Sequence, residues 1–304
     1  MTTLAIDIGG TKLAAALVTD DLLLCDRREL PTPASKTADA LNTALEALVR
    51  PLCMRAKRVA IASTGIIREG NLIAINPQNL GGLMHFPLVK TLREITGLPT
   101  LAINDAQAAA WAEYQAMADK VSDMAFITVS TGVGGGVILD QKIIAGKHGL
   151  GGEIGHIHVR DDEWEHCNCG GVGCLEQVSS ATGIAREARR TMAKSDKPSA
   201  LREFGDNVSA KDVMDAAKAG DEMALEVMKT VSHYLGLALA QVALTVDPEI
   251  FVIGGGVSKA GQFLIDMIQK DYDHFTPISE NKAKLGLATL GNDAGIYGAA
   301  RLVL

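Results

Sequence analysis

The sequence predicts an α/β protein built as two similar lobes around a cleft. Three observations carry that expectation. A strand, a glycine-rich turn and a returning strand occur once in each half, over residues 4–18 and again over 124–139. Short apolar runs ended by glycine or polar residues alternate with longer stretches of helical period. Finally, 304 residues are long for a single core and comfortable for two domains.

Taken in order, residues 4–8, 13–18 and 22–27 read as consecutive strands of a meander. Residues 37–55 have helical spacing, with Leu41, Ala44, Leu45 and Leu48 on one face. Residues 58–63 form a buried strand that stops at Thr64-Gly65, and Leu101-Ala102-Ile103 forms another that stops at Asn104-Asp105. The alanine-rich run 106–118 is a helix suited to packing beneath a sheet. A second half opens near residue 120, with a strand at 124–130, a glycine turn at 131–136 and a returning strand at 137–139. Helices are expected at 180–194 and 222–246. Ile250-Phe251-Val252-Ile253 is a strand running into Gly254-Gly255-Gly256, ahead of a helix starting near Gly261. Residues 293–302 close the chain as a helix, and the polar, aperiodic stretch 194–208 reads as a surface loop.

Composition narrows the function classes. Hydrophobic residues at 47% and charged residues at 21% suit an ordinary globular enzyme, and no apolar run is long enough for a bilayer. A net charge of −7 argues against a nucleic-acid partner held by charge. The N-terminus enters a strand pattern with no basic segment before it, so no signal peptide is expected. Of five cysteines, Cys25 and Cys53 stand alone while Cys167, Cys169 and Cys174 cluster. That odd count reads as reduced thiols in the cytoplasm.

Three glycine turns are candidate phosphate or nucleotide contacts. In Asp7-Ile8-Gly9-Gly10-Thr11-Lys12 the missing Cβ atoms let backbone N–H groups approach phosphate oxygens. Thr11 adds a hydroxyl there, and Asp7 could orient a magnesium ion or its waters. A tight hairpin turn is the alternative. Thr131-Gly132-Val133-Gly134-Gly135-Gly136 is a second such loop. Gly254-Gly255-Gly256 is a third, where a flat adenine or ribose could approach closely. Asp105, at the carboxyl end of its strand, could accept the proton of a hydroxyl attacking a γ-phosphate. Its competing reading is a helix N-cap, which context-free reasoning favours. Cys167, Cys169 and Cys174 have metal-ligand spacing, with a disulfide as the competing reading. Closed tetrahedral zinc needs a fourth ligand, and spacing leaves His156, His158 and His166 all open. Glu153 and His156 could hydrogen-bond sugar hydroxyls, or be solvated surface residues.

Together, Asp7 to Lys12, Asn104-Asp105, residues 131–136, Glu153-Ile154-Gly155-His156 and Cys167-x-Cys169-x4-Cys174-Leu175-Glu176 resemble the ROK family of bacterial sugar kinases and repressors. The resemblance covers nearly the whole chain in the expected order. It implies an actin-like ATPase (ribonuclease H-like) fold, with residues 1–120 plus 290–304 as one lobe and 121–289 as the other. It implies ATP and magnesium as cofactors, a structural zinc and a small hexose as substrate. Asp105 resembles the catalytic base for the sugar 6-hydroxyl. Asn104, Glu153, His156 and Glu176 resemble hexose contacts, with Gly65 and Asn79 on the first-lobe side. His156 resembles the fourth zinc ligand. Residues 1 to about 130 look like N-acetylmannosamine kinases, and the chain from Val137 onward looks like glucokinases of the same family, implying a hybrid joined near residues 128–139. A repressor would carry a helix-turn-helix ahead of the lobes, for which a first strand at residue 4 leaves no room. Family members are commonly dimers or larger homo-oligomers, and no membrane partner is implied.

Overall fold

In the computed structural model the chain is described over residues 2–76, 80, 82–278, 280 and 282–302. The chain opens with β1 (Thr2–Ile8), β2 (Lys12–Thr19) and β3 (Leu24–Pro31), an antiparallel meander. Next comes α1 (Ala38–Cys53), whose first turn is capped by Thr37 Oγ1 accepting from the Ala40 amide. β4 (Arg58–Ser63), the hairpin β5 (Ile66–Arg68) and β6 (Asn71–Ile73), α2 (Leu88–Thr96), β7 (Thr100–Asn104) and α3 (Asp105–Ala116) follow. β4 lies parallel to β1, and β7 parallel to β4, giving the sheet order β3-β2-β1-β4-β7.

The second half repeats this plan. β8 (Met124–Val129), β9 (Val133–Leu139) and β10 (Lys142–Ile143) form an antiparallel meander. They are followed by α4 (Leu175–Ser179), α5 (Ala181–Lys194), α6 (Ala210–Lys218) and α7 (Glu222–Val246). β11 (Ile250–Gly254), α8 (Gln262–Phe275), β12 (Lys284–Leu287) and α9 (Ala294–Arg301) complete the chain. β11 is parallel to both β8 and β12, so the order β10-β9-β8-β11-β12 reproduces the first sheet strand for strand. The fold is therefore α/β, with two mixed sheets of one topology. Their buried apolar side chains form two large clusters, one around β1, β4 and α1, the other around β8, β11 and α7.

α9 returns to the first sheet. Ile296 and Ala300 pack with Ala5, Ala14 and Ala16, while Ala299 packs with Ala60, Ala62 and Ala108. Small residues allow this close approach: a Cβ on Gly298 would fall 1.7 Å from the Ala108 carbonyl oxygen. On another side α3 meets the second sheet, where a Cβ on Gly136 would lie 2.5 Å from that of Ala110. Alanine-rich α3 is thus sandwiched between β9 and α9, with Ala106, Ala108, Ala110 and Ala112 all buried.

Several expectations need correction. The third strand covers Leu24–Pro31 rather than 22–27, because Leu22 adopts a left-handed turn conformation (φ 60°). The glycine turn expected at 131–136 is confined to residues before Val133, and Gly134, Gly135 and Gly136 belong to β9. They pair with Thr128, Ile127 and Phe126. The 194–208 stretch contains two short 3-10 turns, Ala200–Glu203 and Gly205–Asn207, and anchors fully buried Leu201. The hairpin β5–β6, α2 and α6 were not foreseen.

Candidate active site and metal centre

β1, β4 and β7 are adjacent and parallel, so their carboxyl ends form one ledge. Asp7 stands beside Ala62, and Ser63 beside Asn104. This is where open parallel sheets gather reactive groups. The helix cap expected of Asp105 is performed by Asn104. Its Oδ1 accepts from the Ala106 and Gln107 amides at 2.9 and 3.2 Å, and its Nδ2 donates to the Gly65 carbonyl at 3.0 Å. Asn104 is buried and holds the β4 and β7 ends together. Asp105 uses one oxygen, Oδ1, on the Ala106 amide at 2.8 Å. Burial pushes the Asp105 carboxyl above the usual carboxylate range. Burial, then the charge of Asp105, raises Asp7 to about 6. Burial also raises Glu153, with Asp105 and Glu176 adding to the effect and His156 opposing it. Three carboxylates with raised affinity for protons therefore lie near one another, Asp105 acting on both Asp7 and Glu153.

The first glycine turn is held from both sides. Gly9 N–H donates to the Lys12 carbonyl at 2.9 Å, Thr32 Oγ1 donates to the Gly9 carbonyl at 2.7 Å, and Thr32 N–H donates to the Thr11 carbonyl at 3.0 Å. Thr11 and Lys12 remain exposed at the tip. The other two loops mix packing with access. A Cβ on Gly134 would lie 2.8 Å from that of Ala106, and one on Gly135 would lie 2.7 Å from the Gly152 carbonyl oxygen. Gly255 has φ 86° and sits against β8, where a Cβ would meet the Val129 carbonyl oxygen at 2.3 Å. Packing alone thus accounts for those glycines. Thr131 and Gly256 are exposed, and Gly256 has open space where a Cβ would be.

Gly65 has φ 91° and a Cβ there would press on the Ile73 carbonyl oxygen at 2.9 Å, so the turn after β4 requires glycine. Asn79, expected on the same wall, lies outside the described residues. Across the two halves, Gln107 Nε2 of α3 donates to the Gly151 carbonyl at 2.6 Å and ties the Glu153 segment to α3. That bond was not foreseen.

His156, Cys167, Cys169 and Cys174 converge, their donor atoms all within 4.8 Å of one another. Cys167 Sγ is 3.6 Å from His156 Nδ1, and Cys169 Sγ is 3.6 Å from Cys174 Sγ. Donors at the corners of a zinc–thiolate tetrahedron lie about 3.8 Å apart. The set is compatible with a closed zinc site. Burial pushes the Cys167 thiol up to about 11 and raises Cys174 too, so a bound cation is what would make them thiolates. The other candidate histidines are otherwise engaged. His158 pairs with the Val172 carbonyl at 2.9 Å and Asp161 at 2.8 Å, and His166 with the Gly170 carbonyl at 3.2 Å. His156 Nε2 faces Glu153 Oε2 at 3.9 Å, so one imidazole links the cysteines to the cleft. Glu176 accepts from the Val133 amide at 2.9 Å, joining the cysteine loop to the second glycine turn. Behind the loop, buried Glu163 is bracketed by Arg186 at 3.0 Å and Arg190 at 2.9 Å. No signal in the sequence pairs those residues.

A family model described as the ROK family matches residues 3–304. The chain belongs to the ROK family. Among its relatives is the N-acetylmannosamine kinase of Citrobacter koseri, 51% identical over 306 residues, covering 99% of this chain and 98% of that protein. That alignment runs through both halves of this ROK chain. Among solved structures, a ROK family glucokinase from Streptomyces griseus in complex with glucose and AMPPNP superposes with TM-score 0.81 at 32% identity, covering 99% of both chains. A ROK family transcriptional regulator homologous to an E. coli protein superposes with TM-score 0.83 at 26% identity, covering 98% of this chain but 76% of that one. This chain thus shares its overall fold with one ROK glucokinase and one ROK regulator. No helix among the described residues is long and apolar enough to cross a membrane.

Proposed function

We propose that this ROK protein is an ATP-dependent N-acetylmannosamine kinase that phosphorylates the sugar 6-hydroxyl. The observation that carries the sugar's identity is 51% identity to such a kinase across almost the whole chain. The chemistry rests on Asp105. With Asn104 taking the cap, Asp105 accepts the proton of the 6-hydroxyl as its oxygen attacks the γ-phosphorus, and ADP leaves. Asn104, Glu153, His156 and Glu176, with Gly65 and Asn79, form the hexose wall in this reading. Asp7, Gly9, Gly10, Thr11, Lys12, Thr131 and Gly132 line the phosphates in this reading, with Gly254 and Gly256 at the adenosine, while packing holds Gly134, Gly135 and Gly255 as glycine. Magnesium bound with ATP would offset charge on the transferring group, and the raised Asp7 carboxyl suits a cation partner.

His156, Cys167, Cys169 and Cys174 hold a structural zinc in this reading. The lobes divide as 1–120 plus 290–304 and 121–289, and closure between them excludes water from the transfer. A reducing cytoplasm suits the thiolates, and a homodimer or larger homo-oligomer is the expected assembly. Glu153 supports a second reading, glucose as an additional substrate, since a carboxylate beside His156 fits a sugar hydroxyl. A coupled ADP-release assay with N-acetylmannosamine, glucose, mannose and N-acetylglucosamine decides. N-acetylmannosamine should give the highest kcat/KM, and a higher value for glucose would transfer the name to the second reading.

A further inference from the structure

β3 is an edge strand with an irregularity that the sheet itself does not require. Its pairing with β2 shifts between Ala15, opposite Arg28, and Leu17, opposite Cys25. Asp26 and Arg27 together face the single residue Ala16, a β-bulge with Asp26 at φ 49°. Bulges of this kind re-aim a side chain beside functional sites. Arg27 Nη1 donates to Asp293, at the N-terminus of α9, while its Nη2 and Nε donate to Glu29 Oε1 at 2.8 and 3.1 Å. The same Glu29 oxygen accepts from Lys12 Nζ at 3.0 Å. One guanidinium therefore links Lys12, on the first glycine turn, to the start of α9. Two residues past Asp293, Gly295 lies over Asp7, and a Cβ there would stand 3.7 Å from the Asp7 carboxyl carbon. Partly exposed ion pairs contribute little to stability. A chain of them that runs from a phosphate turn to the helix packed on Asp7 has a positional use instead.

We propose that Arg27 is a positioning residue for phosphoryl transfer: through Asp293 and Glu29 it fixes the first turn of α9 and the Lys12 ammonium around Asp7. This rests on the kinase reading above. The test uses the full-length protein with Arg27→Gln, Arg27→Lys, Asp293→Asn and the Arg27→Gln/Asp293→Asn double variant. Hydrogen exchange at residues 294–298 and the separate KM values for ATP and sugar are measured. Arg27→Gln should speed exchange at 294–298 about tenfold and raise KM for ATP about tenfold, with KM for sugar within about twofold. Asp293→Asn should reproduce the exchange effect, the double variant should be no worse than the worse single, and Arg27→Lys should recover part of the loss. Unchanged exchange in Arg27→Gln, additive effects in the double variant, or a parallel rise in both KM values would overturn the proposal. A wild-type protein without turnover on any hexose would count against the kinase reading alone, because the exchange comparison still decides whether Arg27 holds α9.

Discussion

At the end of β7 two neighbouring polar residues divide two tasks that either type can perform. Asn104 makes the helix cap and the bond to Gly65, while Asp105 accepts from the Ala106 amide through Oδ1. The sequence alone favours a cap at Asp105, because a chain read without coordinates cannot tell which of two adjacent capping residues starts the helix. The carboxylates that result are strained as charges. Asp7 is raised to about 6 and Asp105 is raised as well, so the folded, ligand-free protein binds protons that the unfolded chain releases near pH 4. Two consequences follow with opposite signs. Stability falls as pH rises from about 4 to 6, since the folded state holds more protons over that window. Turnover rises over its upper part, since transfer needs the ionised forms. The acid limb of kcat/KM should therefore lie at about pH 6 or above, and a limb at pH 4 would contradict the burial argument. For the same reason Asp7→Asn should abolish activity yet raise the melting temperature by about 2–4 °C.

The cysteine loop shows what a single element contributes. It carries Cys167, Cys169 and Cys174, and its following helix, α4, brings Glu176 back to the Val133 amide. Cys174→Ser should remove about one zinc per chain and weaken sugar binding about tenfold or more through His156. Metal analysis and calorimetry read the two effects, and sugar affinity unchanged by zinc loss would detach the loop from the cleft. The support behind it is ionic. Burial by itself would raise Glu163, but Arg190, the Glu165 amide and Arg186 outweigh it and hold the carboxyl at about 2. Its stabilisation is present above pH 4.5 and lost as pH falls toward 2. Glu163→Gln should cost about 3–5 kcal/mol in denaturant unfolding, as expected for a broken buried pair. The cysteine cluster was legible because three cysteines stand close in sequence, whereas His156 joined it only through the family resemblance. The Glu163 network was not, because its partners come from α5 and charged residues look alike in composition. α2 was missed for a different reason: it is short, bounded by Pro87 and Gly97, and buries only Leu88 and Leu92.

For the whole molecule, duplication was visible as two strand–turn–strand units, and the structure extends it to matching order and sense in all five strands of each sheet. The glycines of β9 were read as a phosphate loop, whereas close packing of α3 explains Gly134 and Gly136 without a ligand. Such contacts join residues far apart in the chain, which no local pattern records. α9 makes the strongest case. Gly298→Val should destabilise the protein by about 3 kcal/mol or more, because a Cβ cannot fit against Ala108. An unchanged melting curve would mean that α9 is not seated on α3. In the proposed reading this arrangement presents one carboxylate, Asp105, to one hydroxyl, which a direct measurement can test. Turnover and N-acetylmannosamine affinity should be compared in wild type and Asp105→Asn. The account expects kcat to fall about a thousandfold while the dissociation constant changes less than about threefold. Near-normal turnover in Asp105→Asn would contradict it.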